Sequence, residues 1–122
     1  MSKSKIIAVD FDGTLCKNEY PEIGRLNSVL LYELKKRKYE EGCKLILWTC
    51  RTGKLLDDAI EWCKAHGLVF DAVNQNLPEI IESFGSDTRK IFADEYIDDR
   101  AFGPATLSSL TYFKRCNNER GK

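Results

Sequence analysis

The sequence lacks the long apolar runs, the net charge and the targeting pattern that mark several common protein classes. Asp10 interrupts the first apolar run after residues 6–9, whereas a signal peptide needs about 7–15 apolar residues and a membrane-spanning helix about 20. The 19 basic and 19 acidic residues cancel, so no overall charge attracts nucleic acid or an anionic membrane. We therefore expect a cytoplasmic protein that makes no membrane contact.

Histidine and paired cysteines are also scarce. His66 is the single histidine, and none of the five cysteines forms a CxxC pair, so the sequence offers no conventional zinc site. An odd number of cysteines suits a disulfide framework poorly, and reduced thiols are expected instead. A cysteine-based phosphatase is not expected either, because it needs an arginine six positions after its cysteine and no cysteine here has one.

Apolar segments alternate with helical patterns along the 122 residues, a length typical of one domain. Short apolar runs predict strands at 5–10, 44–49, 69–73 and 91–98. Helical spacing predicts helices at 26–41, 55–65, 77–84 and 106–116, and a proline predicts a loop at 20–24. This alternation predicts an α/β fold, a three-layer Rossmann-like arrangement with a short parallel sheet and helices on both faces.

Polar side chains follow three of the predicted strands: Asp10 and Asp12, then Thr49 and Arg51, then Asp98 and Asp99. Parallel strands bring their carboxyl ends to one edge, where open α/β sheets bind ligands. Gly13 permits a turn after the first pair, so that both carboxylates, or one carboxylate and a neighbouring carbonyl, can face one point. Crowded carboxylates are unfavourable unless a cation neutralises them, and the pattern therefore predicts a Mg²⁺ site.

The order of these motifs resembles the haloacid dehalogenase superfamily of phosphohydrolases, and the likeness covers nearly the whole chain. An apolar strand leads into Asp-Phe-Asp-Gly-Thr at 10–14, a second strand ends at Thr49, a lysine follows, and a last strand ends in two aspartates. The resemblance implies a Mg²⁺-dependent phosphatase that forms an aspartyl phosphate. Asp10 would be the nucleophile, and Asp12 would be the general acid and then the general base.

The same resemblance assigns the groups that would bind phosphate and metal. Thr49 would hydrogen-bond the phosphoryl oxygens, and Lys90, rather than its neighbour Arg89, would neutralise charge on nucleophile and phosphate. For Arg51 two interpretations remain open, a bidentate phosphate clamp and a surface ion pair. The Mg²⁺ ligands would be Asp10, the carbonyl of Asp12, and one or both of Asp98 and Asp99.

Aromatic and amide side chains near the site are interpreted as structural. Phe11, Trp48 and Trp62 are predicted to pack in the core or between helix and sheet. Asn74 and Asn76 are predicted turn or cap residues, with a contact to substrate as the alternative.

The chain has little length for a cap domain, the insertion that usually sets specificity in this superfamily. Twelve steps separate Thr14 from Leu26 (26 − 14), and 41 separate Thr49 from Lys90 (90 − 49), a span that two helices and a strand already fill. We therefore expect a capless member with room for at most a tight hairpin. An open site suits a bulky phosphorylated substrate, unless a neighbouring subunit of a homo-oligomer covers it.

Two alternative functions remain open at this point. Thr49-x-Arg51, together with Ile-Asp-Asp-Arg at 97–100, is similar to the polynucleotide 3′-phosphatases of the superfamily, although the zero net charge does not support nucleic acid. The second alternative is a phosphate-binding or regulatory protein with low turnover on the same fold.

Overall fold

The computed structural model describes residues 4–100, which contain six strands and three helices. In chain order the elements are β1 (Ile6–Val9), β2 (Cys16–Glu19), β3 (Glu22–Leu26), α1 (Ser28–Tyr39), β4 (Lys44–Leu47), α2 (Gly53–Ala65), β5 (Ala72–Val73), α3 (Pro78–Phe84) and β6 (Glu95–Ile97). The helix predicted at 106–116 lies outside the described residues.

Four of the strands form one parallel sheet, in the order β5-β4-β1-β6. In the register of the sheet, Val9 at the end of β1 lies between Leu47 of β4 and Ile97 of β6. Because three strands end level with one another, the chain leaves all three at the same edge. The four-stranded parallel sheet confirms the predicted α/β class.

Alternate side chains of the central strands belong to two separate apolar clusters. The larger cluster joins the sheet to α1 and α2, through Ile7, Val9, Leu45, Leu47, Leu30, Leu34, Ala59 and Cys63. The smaller joins it to α3 and the segment before β6, through Ile6, Ala8, Ile46, Leu77, Ile80 and Ile91. A slip of one residue in β1 would exchange the two clusters, so this burial fixes the register that aligns the strand ends.

β2 and β3 pair as an antiparallel hairpin, which follows β1 and precedes α1 in the chain. A loop was predicted over 20–24, and that prediction is wrong from Glu22 onward, where the chain enters β3. Gly24 lets the two strands approach, because a Cβ atom there would lie 2.2 Å from the carbonyl oxygen of Lys17. Within residues 4–100, the hairpin occupies the segment between the first motif and α1.

The predicted packing of the aromatic residues is confirmed for Phe11 and Trp62 but not for Trp48. Phe11 is fully buried, and Trp62 packs edge-on against it with ring centroids 5.5 Å apart, as predicted. Trp48 is 37% exposed, so its predicted place in the core is wrong. It follows Leu47, the last residue of β4, and so lies past the end of the strand.

The described cysteines, Cys16, Cys43, Cys50 and Cys63, are all free thiols. Burial raises the pKa of Cys16 to about 11 and that of Cys63 to about 12, so these two thiols are packing groups rather than nucleophiles. Between residues 4 and 100, no helix combines the length and the apolar character that crossing a bilayer requires.

Candidate functional site

Three carboxylates meet at the carboxyl edge of the sheet. Asp10 directly follows β1, and Asp98 and Asp99 directly follow the neighbouring β6. One oxygen from each lies within 4.8 Å of the others. The backbone N–H of Asp10 donates to the carbonyl of Ile97 at 2.9 Å, which extends the pairing of the two strands up to the cluster.

The carboxylates of the cluster repel one another. Burial, followed by the charges of Asp98 and Asp99, raises the pKa of Asp10 from 3.8 to about 7. Burial and the neighbouring Asp98 also raise the pKa of Asp99. The Oδ1 atom of Asp99 is buried and has no hydrogen-bond partner among residues 4–100. An oxygen-rich cluster of this kind suits a hard divalent cation.

Thr14 connects the two halves of the acidic cluster. Its buried hydroxyl donates to Oδ2 of Asp10 at 3.2 Å and accepts from the backbone N–H of Asp99 at 3.2 Å. The loop that carries it is a tight turn, in which the carbonyl of Phe11 accepts from the N–H groups of Thr14 at 3.1 Å and Leu15 at 2.9 Å. Sequence reasoning gave Thr14 no role, although its place in the first motif was a signal.

Asp12 faces a different partner from the other acids. Its Oδ2 accepts from Nε of Arg51 at 2.8 Å, and its Oδ1 accepts from Nη2 of the same guanidinium at 2.8 Å. The side chain of Asp12 is absent from the cluster of three carboxylates. The site therefore has two parts, an acidic cluster and an adjacent bidentate ion pair.

Arg51 is one of the most deeply buried side chains of the described chain, at 1% exposure. Its remaining hydrogen bonds go to the carbonyls of Glu22 at 3.0 Å and Leu55 at 3.3 Å. The interpretation of Arg51 as a surface ion pair is wrong, because the pair is enclosed. The edge of the guanidinium that a phosphate clamp would use is occupied by Asp12, so the structure does not favour that role either.

Thr49 lies beyond the end of β4, half-buried at the same edge of the sheet. Its N–H donates to Oδ1 of Asn74 at 2.8 Å, and its hydroxyl accepts from the N–H of Arg51 at 3.2 Å. Asn74 adopts a positive φ of 55° and donates its own N–H to the carbonyl of Leu47 at 2.7 Å. It is a turn residue, as predicted, and it fixes the backbone of Thr49.

Among residues 4–100, the ammonium group of Lys90 forms no ion pair that would hold it at the site. The side chain is exposed. Its carbonyl accepts from the hydroxyl of Thr88 at 2.8 Å. The role of Lys90 in charge neutralisation therefore stays a prediction.

Comparison with known proteins relates the chain to one solved structure. No family model and no curated protein matches it. The conserved protein coded by a locus of Bacteroides thetaiotaomicron is 41% identical, the match covers 93% of each chain, and the TM-score is 0.73. The chain belongs to the same family as this Bacteroides protein. The likeness names no reaction.

The ligand atoms of the acidic cluster indicate which metal ions it could bind. The acidic cluster contains carboxylates only, with no histidine or described cysteine among its members. Carboxylate oxygens are typical ligands of Mg²⁺, Ca²⁺ and Mn²⁺, whereas zinc favours nitrogen and sulfur. A carboxylate that helps to hold such a cation can also attack an electrophile bound to it.

Proposed function

We propose that this chain is a Mg²⁺-dependent phosphatase of the haloacid dehalogenase type, which hydrolyses phosphomonoesters through an aspartyl phosphate on Asp10. One observation carries the proposal: oxygens of Asp10, Asp98 and Asp99 lie within 4.8 Å of one another, beside Asp12. The two apolar clusters on alternate faces of the strands support the three-layer Rossmann-like arrangement of that superfamily.

The residues present fit a magnesium ion. Asp10, Asp98 and Asp99 would hold it, since their carboxylates are crowded and Oδ1 of Asp99 is buried without a hydrogen-bond partner among the described residues. The carbonyl of Asp12 is the further ligand that the motif suggests. When bound, Mg²⁺ would neutralise the carboxylates and stabilise negative charge on the phosphoryl oxygens.

The reaction would proceed in two displacements, in which Asp10 and Asp12 have separate tasks. First, a carboxylate oxygen of Asp10 attacks phosphorus, the ester P–O bond breaks with its electron pair, and the departing oxygen takes a proton from Asp12. Then water attacks the aspartyl phosphate, gives a proton to Asp12, and the bond between Asp10 and phosphorus breaks. The products are the alcohol and inorganic phosphate, and both carboxyl groups return to their starting forms.

The pair with Arg51 does not use every lone-pair position of the Asp12 carboxylate. Each carboxylate oxygen has two lone-pair positions, and the guanidinium takes one on each oxygen. The second position on each oxygen stays open. The nucleophile and the acid therefore come from one short motif but have different neighbours.

The remaining proposals concern the phosphate-binding residues, the substrate and the cellular compartment. Thr49 would bind the phosphoryl oxygens, and Lys90 would add positive charge. The hairpin of β2 and β3 is too small to enclose a ligand as a cap domain does, so we propose a bulky phosphorylated substrate. The free thiols of the described cysteines fit a reducing compartment such as the cytoplasm.

Hydrolysis of p-nitrophenyl phosphate with Mg²⁺ tests the proposed function. The wild-type protein should release nitrophenol, and removal of Mg²⁺ by a chelator should abolish the reaction. Asp10→Asn should remain folded and lose all hydrolysis, because an amide does not form the covalent intermediate. Glu82→Gln makes the same change from acid to amide on an exposed residue of α3 and should keep full activity.

Two outcomes would contradict the proposal. If Asp10→Asn kept full activity, the covalent mechanism would be wrong. If the wild-type protein bound Mg²⁺ but hydrolysed none of the sugar phosphates, nucleotides, oligonucleotide ends or phosphopeptides offered to it, the protein would be a phosphate-binding or regulatory protein instead.

A further inference from the structure

The guanidinium of Arg51 binds both oxygens of Asp12 and does not face an open site. This arrangement gives Arg51 a different role from that of a phosphate ligand. We propose that Arg51 is a positioning residue, which holds the carboxyl group of Asp12 in place for proton transfer to the leaving group. This inference rests on the proposed function and adds to it a residue that acts only through the acid.

The geometry of the pair fixes both the place and the orientation of the carboxyl group. Two parallel N–H groups of Arg51 reach the two oxygens of Asp12, each at 2.8 Å. A planar fork of this kind defines the plane of the carboxylate, whereas a single ammonium group defines only a distance. Asp12 is thus held at both oxygens, and its side chain is 16% exposed.

The guanidinium is itself held from several sides. Its NH groups donate to the carbonyls of Glu22 in β3 and Leu55 in α2. The ring centroids of Phe11 and Tyr20 lie 5.0 Å and 5.2 Å from its central carbon. The hairpin and α2 therefore determine together where Arg51 lies, and through it where Asp12 lies.

Catalysis gives a reason for this arrangement. A general acid must lie within hydrogen-bond reach of the leaving oxygen, and a misplacement of about 1 Å can lower a rate about 100-fold. Asp12 directly precedes Gly13, in a loop where the backbone turns with a φ of +85°. A carboxyl group on such a loop gains accuracy from a rigid partner outside the loop.

The dependence of the rate on the leaving group separates this role from the alternatives. An alkyl oxygen needs a proton to depart, whereas p-nitrophenolate departs readily without one. Since kcat/KM includes every step up to departure of the leaving group, misplacement of the acid should affect alkyl phosphates selectively. A phosphate ligand or a purely structural residue would affect both substrates equally.

The experiment compares Arg51→Lys with the wild-type protein on glycerol 2-phosphate and p-nitrophenyl phosphate, each with Mg²⁺. Lysine keeps the positive charge but lacks the fork. We expect kcat/KM for glycerol 2-phosphate to fall about 10- to 100-fold, and that for p-nitrophenyl phosphate to fall by less than about 3-fold. In the Asp12→Asn background, Arg51→Lys should cause no further selective loss, because the acid is already absent.

The chain offers a matched control in Arg37, whose Nη1 and Nη2 donate to the two oxygens of Glu95. Glu95 begins β6, so this pair lies at the opposite end of the strand from Asp98. Arg37→Lys should lower stability and leave the ratio of the two kcat/KM values unchanged.

A second variant decides the question if Arg51→Lys does not fold. Tyr20 is 57% exposed, and Tyr20→Leu removes the ring beside the guanidinium without opening the core. It should produce a smaller loss, about 3-fold, again confined to the alkyl phosphate. An equal change for both substrates in every folded variant would overturn the positioning role alone. A wild-type protein without phosphatase activity would overturn the proposed function and this role together.

Discussion

A Cβ atom placed on Gly13 would lie 2.5 Å from Oδ2 of Asp99. The loop after β1 therefore packs its backbone against the side chain of Asp99, and a side chain at position 13 would require that carboxylate to move. Gly13 also has a φ of +85°, a region that residues with a side chain rarely adopt. Both properties favour glycine at this position.

Gly13→Ala should damage the acidic cluster as well as the fold. The new methyl group meets Asp99, and the backbone strain adds about 1–3 kcal/mol of lost stability. We expect the variant to unfold at lower urea concentration and to lose most of the stabilisation that Mg²⁺ gives the wild-type protein.

Gly85→Ala provides the matched control for this variant. Gly85 has a similar φ of +80° at the end of α3, and a Cβ atom there would meet nothing within 4 Å. It should lose about 1 kcal/mol and keep its full response to Mg²⁺. An equal loss of the Mg²⁺ response in both variants would show that the contact with Asp99 is irrelevant.

Binding of Mg²⁺ should stabilise the protein more at high pH than at low pH. The folded state raises the pKa of Asp10 to about 7, so it holds more protons than the unfolded chain between pH 3.8 and about 7. As the pH rises through this window, Asp10 loses its proton in the folded state and the free energy of unfolding falls. A bound cation offsets this fall. We expect the rise in Tm on addition of Mg²⁺ to be large near pH 8 and small near pH 5.

Asp10→Asn tests the cause of this dependence by thermal unfolding, without any assay of activity. Removal of one negative charge from the cluster should raise Tm in the absence of metal and reduce the effect of Mg²⁺. A wild-type protein whose Tm responds equally to Mg²⁺ at both pH values would argue against binding at Asp10.

The apolar strands could be predicted from the sequence because burial on both faces leaves a continuous apolar run. The strand predicted at 44–49 is β4, Lys44–Leu47, and it differs only at its end. Shorter edge strands were less predictable. β5 contains only Ala72 and Val73, because Val69 is 47% exposed and lies outside the sheet.

The acidic residues of the site could be predicted, but their partners could not. Asp10 and Asp98 were recognisable because each follows a predicted strand, and parallel strands end at one edge. The environment of Arg51 depends on tertiary structure, because the carbonyl of Glu22 and the rings of Phe11 and Tyr20 surround its guanidinium. No local pattern distinguishes such a buried arginine from an exposed one.

The ion pair of Glu95 and Arg37 should make stability depend on acid pH. Hydrogen bonds from Arg37 lower the pKa of Glu95 below its ordinary value of 4.5, with help from Lys5. The contribution of this pair is therefore present above the ordinary pKa and is lost as the pH falls through the lowered one. Glu95→Gln should cost about 1–2 kcal/mol near pH 7 and progressively less as the pH falls through the lowered pKa, as measured by urea unfolding.

Glu41→Gln is the control for that variant, because Glu41 faces the same arginine at 4.0 Å from a more exposed position. It should change stability by less than about 0.5 kcal/mol at either pH. Equal losses for the two variants would mean that proximity to Arg37, rather than the bidentate geometry at Glu95, sets the effect.

Asn76 secures the segment that leads from α3 to β6. Its fully buried amide donates to Oδ1 of Asp87 at 2.9 Å and accepts from the N–H of Phe92 at 2.7 Å. Asn76→Ala would leave both groups without this partner, so we expect a loss of about 2–3 kcal/mol in urea unfolding. Asn18→Ala, at an exposed position of β2 where the side chain accepts one hydrogen bond of 3.2 Å from the N–H of Tyr20, should lose less than about 0.5 kcal/mol. Similar losses for the two variants would show that the segment before β6 does not depend on Asn76, because an exposed asparagine would then contribute as much as the buried one.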